Sequence, residues 1–166
     1  MGYYANGNNL VGNTFSSNYH GILFDGYEDN SVQMNRIENN VGYGINIRSG
    51  RHNTIWNNSF YHNNGAGDTY DPALVQACDY GWDNWWNSTD GYGNYWSDWA
   101  TPDVDPADGI VDEPYIIEGS AGAEDYYPLT TQPTEPIPEF GAMPLVVIAL
   151  LAAIVLTIGA RRRKAQ

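Results

Sequence analysis

Four carboxylates crowd one short stretch of the chain: Asp103, Asp105, Asp108 and Asp112, with Gly109 directly after the third. Oxygen donors gathered by a glycine turn are how a hard cation such as Ca2+ collects its about six to eight ligands, so this loop is a candidate calcium site. The spacing departs from that of an EF-hand. An extra residue precedes the Asp-Gly pair, and no Glu stands at the closing position. The plainer reading of the same residues is an acidic surface turn stiffened by Pro102 and Pro106. Softer metals have less to hold: His20, His52 and His62 show no paired spacing, and Cys78 is the only cysteine. Copper or zinc is therefore disfavoured, and no internal disulfide is available.

The second candidate is aromatic. Trp82, Trp85, Trp86, Trp96 and Trp99 fall within 18 residues. Flat rings stack on sugar rings, which makes the cluster a candidate platform for polysaccharide or glycoprotein glycans. The same rings are suited to shielding the apolar end of a repeat stack. Cleavage of a sugar chain needs paired carboxylates flanking the bond, or a base beside a uronate. Asp25, Glu28, Asp29 and Glu38 supply no repeated Asp-Asp pair, and Asp71-Pro72 is followed by Ala73 where an epimerase would place His. The composition leans away from an enzyme.

These residues need a scaffold, and the first third of the chain supplies its pattern. Three segments align at offsets of 22 and 23 residues: Asn8 to Phe15, Asn30 to Ile37, and Asn53 to Phe60. Leu10, Val32 and Ile55 share one column, Phe15, Ile37 and Phe60 a second, and Asn13, Asn35 and Asn58 a third. Gly21-Ile22-Leu23-Phe24 and Gly44-Ile45-Asn46-Ile47 add another apolar piece at the same offset. Short pieces of period two between Asn- and Gly-rich turns predict strands, and a fixed offset predicts stacking of equivalent coils. The expected fold is all-β: a parallel β-helix of about three rungs over 1–64, with an aromatic and acidic cap over 65–129. Rungs upstream of Met1 are expected as well.

Charge and hydropathy place this body. Ahead of the terminal Arg161-Arg162-Arg163-Lys164 cluster, only Arg36, Arg48 and Arg51 offset all 20 acidic residues. Such a surface repels phosphate backbones, so nucleic acid is excluded as a partner. Thr130 to Glu139 reads as a Pro/Thr-rich linker. From Phe140 to Gly159 there are 20 uncharged residues, about the length that spans a bilayer as a helix. The predicted transmembrane helix covers 140–160, with a basic cytoplasmic tail over 161–166. Positive residues beside a span stay inside, which puts the acidic body at the cell surface. Asn57 and Asn87 each open an Asn-x-Ser/Thr acceptor pattern for glycosylation, a surface signal of low specificity.

Two stretches resemble known families. The rungs, Trp82-Asp83-Asn84, Gly93-Asn94-Tyr95-Trp96-Ser97-Asp98, the Asp103 to Asp112 loop, Glu113-Pro114-Tyr115 and Tyr126-Tyr127-Pro128-Leu129 resemble the C-terminal end of NosD-like right-handed β-helix proteins. These are also described as carbohydrate-binding and sugar-hydrolase (CASH) repeats. Pro138-Glu139-Phe140, the apolar span and the basic end resemble the PEF-type sorting signal of archaeal surface proteins. That resemblance implies an archaeosortase as partner. Together they imply a noncatalytic, glycan-binding or adhesive surface module held at the envelope. The alternatives are the tail of a polysaccharide-active lyase, hydrolase or epimerase, and a copper-processing accessory protein. The latter would want Met, His or Cys clusters.

Overall fold

A computed structural model describes residues 6–104 and 107–133. All of them fall within one compact unit, Met1–Glu135. Three parallel sheets run up its sides. One holds β1 (Asn9–Val11), β4 (Ser31–Gln33) and β7 (Thr54–Trp56). The second holds β2 (Thr14–Ser16), β5 (Arg36–Glu38), β8 (Ser59–Tyr61) and β10 (Tyr95–Trp96). The third holds β3 (Ile22–Glu28), β6 (Ile45–Arg51) and β9 (Ala77–Asp79). Each strand pairs in parallel with its equivalent one turn of chain later, which is the geometry of a parallel β-helix.

Register follows the columns read from the sequence. Leu10 pairs with Val32 and Val32 with Ile55. Phe15 pairs with Ile37, Ile37 with Phe60, and Phe60 with Trp96. Ile22 pairs with Ile45, and Ile45 with Ala77. Val32, Ile37, Ile45, Ile47, Ile55 and Phe60 are fully enclosed between coils. Each such side chain contributes roughly 1.5–3 kcal/mol by leaving water.

The corners explain why the strands are so short. Asp29, Met34, Asn39, His52, Asn57 and His62 all adopt left-handed backbone, with φ between 48° and 58°. Each is followed by an asparagine: Asn30, Asn35, Asn40, Asn53, Asn58 and Asn63. The left-handed residue turns the chain, and the next amide side chain points inward to bond the neighbouring coils. An L-residue in this region costs about 1–2 kcal/mol. The amide bonds offset that cost.

The ladder runs one coil beyond the three visible repeats. After β8 the chain leaves the stack through a 3-10 turn, η1 (Asn63–Gly65), and returns at β9. Trp82 then bridges Arg51, Trp85 bridges Thr54, and β10 lies on β8. A small antiparallel hairpin of β11 (Tyr115–Ile116) and β12 (Glu124–Asp125) follows. Trp96 stacks between Phe60, at 4.1 Å, and Tyr115, at 3.9 Å, so the core column ends in a pile of aromatic rings. Among the described residues, no helix is long and apolar enough to cross a membrane. The predicted span, the sorting motif Pro138-Glu139-Phe140 and Asp105 lie outside the described residues.

Candidate functional site

Three asparagine ladders run the length of the stack, and all have the same polarity. Asn13 donates to Asn35 at 3.2 Å, Asn35 to Asn58 at 3.0 Å and Asn58 to Asn94 at 2.9 Å, always from Nδ2 to Oδ1. The same Oδ1 accepts the backbone N–H of the preceding asparagine, which fixes each amide's orientation. A second ladder reads Asn8, Asn30, Asn53 and Asn84. The third reads Asn18, Asn40, Asn63 and Gln76. Aligned donors leave the last amide of every ladder with no further amide to donate to. A carboxylate, which only accepts, is the complementary terminator.

Each ladder has one. Asn84 donates to Asp79 at 3.1 Å, Gln76 to Asp98 at 2.6 Å, and Asn94 to Asp125 at 3.2 Å. All three carboxylates are buried. Each also accepts an aromatic donor: Trp86 Nε1 on Asp79, Tyr115 hydroxyl on Asp98, and Trp96 Nε1 on Asp125. Desolvation pushes the Asp125 carboxyl up to about 6, against the opposing pull of its N–H donors. Burial raises Asp98 likewise.

This plug sorts the five tryptophans. Trp86 and Trp96 are 1% exposed and work inside the cap. Trp99 is half-buried, with its ring edge-on to Tyr115 and its Nε1 donating to the Glu113 carbonyl. Trp82 and Trp85, by contrast, are 52% and 50% exposed. The guanidinium of Arg51 lies over the Trp82 ring, and His52 stacks on Trp85 at 6.0 Å. Trp85 and the exposed Tyr127 line a cleft of about 400 Å³ with Thr54, Asn87 and Ser88. Thr89 and Tyr127 also line a second cleft of about 560 Å³, where Asp90, Asp108 and Asp112 stand. Tyr127 and Asp90 were not picked out from the sequence. Tyr127 sits in the Tyr126-Tyr127-Pro128-Leu129 string, but its place beside Trp85 depends on Leu129 bridging Tyr95 across the cap.

In the acidic loop, described carboxylates are engaged by backbone. Asp103 accepts the N–H groups of Asp108 and Gly109, Asp108 that of Ile110, and Asp112 that of Val104. Such bonds hold a turn without an ion. Among the described residues, His, Cys, Asp and Glu form no group of three that could hold a metal ion. The two glycosylation patterns also differ. Asn57 is a corner residue whose N–H bonds Gly93, and its Ser59 is buried in β8. Asn87 lies in the cleft wall with Thr89 exposed beside it.

Parallel coils, polar ladders and an aromatic end-plug define a parallel β-helix protein. Residues 1–101 match the family model described as periplasmic copper-binding protein (NosD), and the chain belongs to that family. No curated protein and no solved structure matches it.

Copper chemistry does not fit the described residues. His20 lies against Tyr43 and Asn46, His52 pairs with Asp29, and His62 with Asp68. Cys78 is enclosed, and burial drives its thiol up to about 11, away from the thiolate a soft metal needs. These donors do not converge.

Proposed function

We propose that this chain is a noncatalytic, extracytoplasmic β-helix module that binds glycans in the cleft between Trp85 and Tyr127. The single observation that carries the reading is the contrast among the tryptophans. Trp86 and Trp96 satisfy their Nε1 groups on buried carboxylates, whereas Trp85 is half exposed and lines an open cleft together with another aromatic, Tyr127. The NosD family's periplasmic description supports placement outside the cytoplasm. The uncharged run from Phe140 to Gly159, preceded by Pro138-Glu139 and followed by Arg161 to Lys164, supports attachment to the envelope as a span or processed sorting signal.

The test is retardation of the folded protein in gels containing soluble polysaccharides, run beside Trp85→Ala and Tyr127→Ala. The expected result is retardation of the parent chain, lost in both variants at unchanged melting temperature. Equal mobility of all three proteins in every polysaccharide removes the glycan reading.

A further inference from the structure

The geometry points to the chemical class of the saccharide: a neutral or amine-bearing sugar chain, and not a polyuronate or sulfated one. This rests on the reading of the Trp85–Tyr127 cleft as a glycan platform. Stacking on an aromatic face gives affinity for the apolar face of a sugar ring, whatever the ring's substituents. Discrimination therefore comes from the groups at the edge of the platform. The two clefts share Thr89 and Tyr127, so a chain stacked on Trp85 and Tyr127 continues past Asp90, Asp108 and Asp112.

All three of these side chains are exposed, and neither cleft has Lys or Arg in its lining. Asp108 and Asp112 each give one carboxylate oxygen to a backbone N–H, which orients the carboxylate. Exposed carboxylates held this way accept hydrogen bonds from sugar hydroxyls and attract ammonium groups. They repel a carboxylate or sulfate on the ligand, and like-charge juxtaposition is an effective way to exclude a wrong partner. Arg51 is engaged over Trp82 and with Glu28. It lines neither of the two clefts.

The experiment measures tryptophan-fluorescence quenching and calorimetric binding of the folded protein with three probes: short neutral glucan oligosaccharides, the corresponding glucosamine oligomers, and oligouronates. The expected order is glucosamine tightest, neutral next, and uronate weaker than neutral by about tenfold, the product of three exposed like-charge contacts. In the combined variant Asp90→Asn, Asp108→Asn and Asp112→Asn, the glucosamine advantage should fall about tenfold while neutral binding holds. Should that variant melt early, Asp90→Asn alone serves, because Asp90 has no structural hydrogen bond to lose among those described.

Oligouronate binding as tight as neutral binding overturns the inference and leaves the platform standing. Glucosamine binding undiminished in Trp85→Ala also overturns it, by exposing mere attraction to an acidic surface. Failure of all three probes removes the platform reading and this inference together.

Discussion

Asp125 Oδ2 accepts the backbone N–H of Asn94 at 2.7 Å, and with that bond the Asn13–Asn35–Asn58–Asn94 ladder closes on a buried carboxyl group. The same oxygen takes the Trp96 indole N–H at 2.9 Å, while Oδ1 takes the N–H of Tyr127. One side chain thus ties together the last rung, the core ring stack and the segment that carries the cleft.

Its pH dependence has a defined sign. The folded-state pKa of about 6 lies above the unfolded value of about 3.9 for Asp. The unfolded chain therefore loses its proton first as pH rises. The stability contributed by protonated Asp125 is fully present below about pH 4 and is lost as pH climbs through 6, a change of about 3 kcal/mol. Asp98 is shifted in the same direction. Denaturant unfolding followed from pH 4 to 7 should show this decline. Asp125→Asn should flatten it and compare better with the parent at pH 7 than at pH 4, since only the parent loses stability as its buried carboxyl ionises. An unchanged slope in the variant would place the titration elsewhere.

Asn58→Ala should be among the most damaging single changes. The side chain donates to the carbonyls of Val32 and Trp56 and to Asn94, and it accepts from both N–H groups of Asn35. Truncation strands several buried polar groups, each worth about 1–3 kcal/mol, so a loss above about 3 kcal/mol is expected in urea unfolding. Asn57→Ala removes the side chain of a left-handed corner residue that is not in a ladder and should cost about 1 kcal/mol. Similar losses for the two would contradict the ladder as the stabilising element.

Gly93 tests the plug from the backbone side. A Cβ added there would run into the Asp125 carboxylate and the Tyr127 carbonyl. Gly93→Ala should therefore lower the melting temperature by several degrees, roughly the effect of overpacking by about 1–3 kcal/mol. The Gly-Asn-Tyr-Trp-Ser-Asp string becomes intelligible on these terms. Gly93 permits the close approach, Asn94 continues a ladder, Tyr95 and Trp96 form β10, and Asp98 ends another ladder.

The first three coils were legible because Asn8, Asn30 and Asn53, and likewise Asn13, Asn35 and Asn58, recur at offsets of 22 and then 23 residues. The fourth was not. Its ladder partners stand 31, 36 and 13 residues on, at Asn84, Asn94 and Gln76, because loops of unequal length enter the coil and Gln replaces Asn in one column. Asp79, Asp98 and Asp125 look like surface charge in a sequence this acidic, and nothing local marks them as terminators. The Trp85-Trp86 pair did hold a usable signal. Neighbours in extended chain face opposite ways, so one ring had to point out once the other pointed in.

Calcium is tested most directly on the cap. Asp103, Asp108 and Asp112 already receive backbone N–H groups, so the loop does not need an ion to stay closed. Melting temperature should change by less than about 1 °C between chelator and millimolar Ca2+, well under the shift that a ligand at about 100 times its Kd would give. A rise of several degrees, lost in Asp103→Asn, would instead assign the ion to this loop.

The pair Trp85→Ala and Trp96→Ala separates recognition from architecture. Trp96 is enclosed between Phe60 and Tyr115 and donates to Asp125. Its truncation should cost about 3–5 kcal/mol and open the end of the stack. Trp85 is half exposed, stacks on His52 and keeps its backbone bridge to Thr54 whatever its side chain. Its truncation should stay within about 1 kcal/mol of the parent, as surface substitutions do, while abolishing saccharide-induced fluorescence quenching. The comparison needs urea unfolding and glycan titration on the same preparations. Loss of stability in both variants would make Trp85 part of the plug. Loss in Trp96→Ala alone, with binding lost in Trp85→Ala, divides the five rings between the protein's core and its surface chemistry.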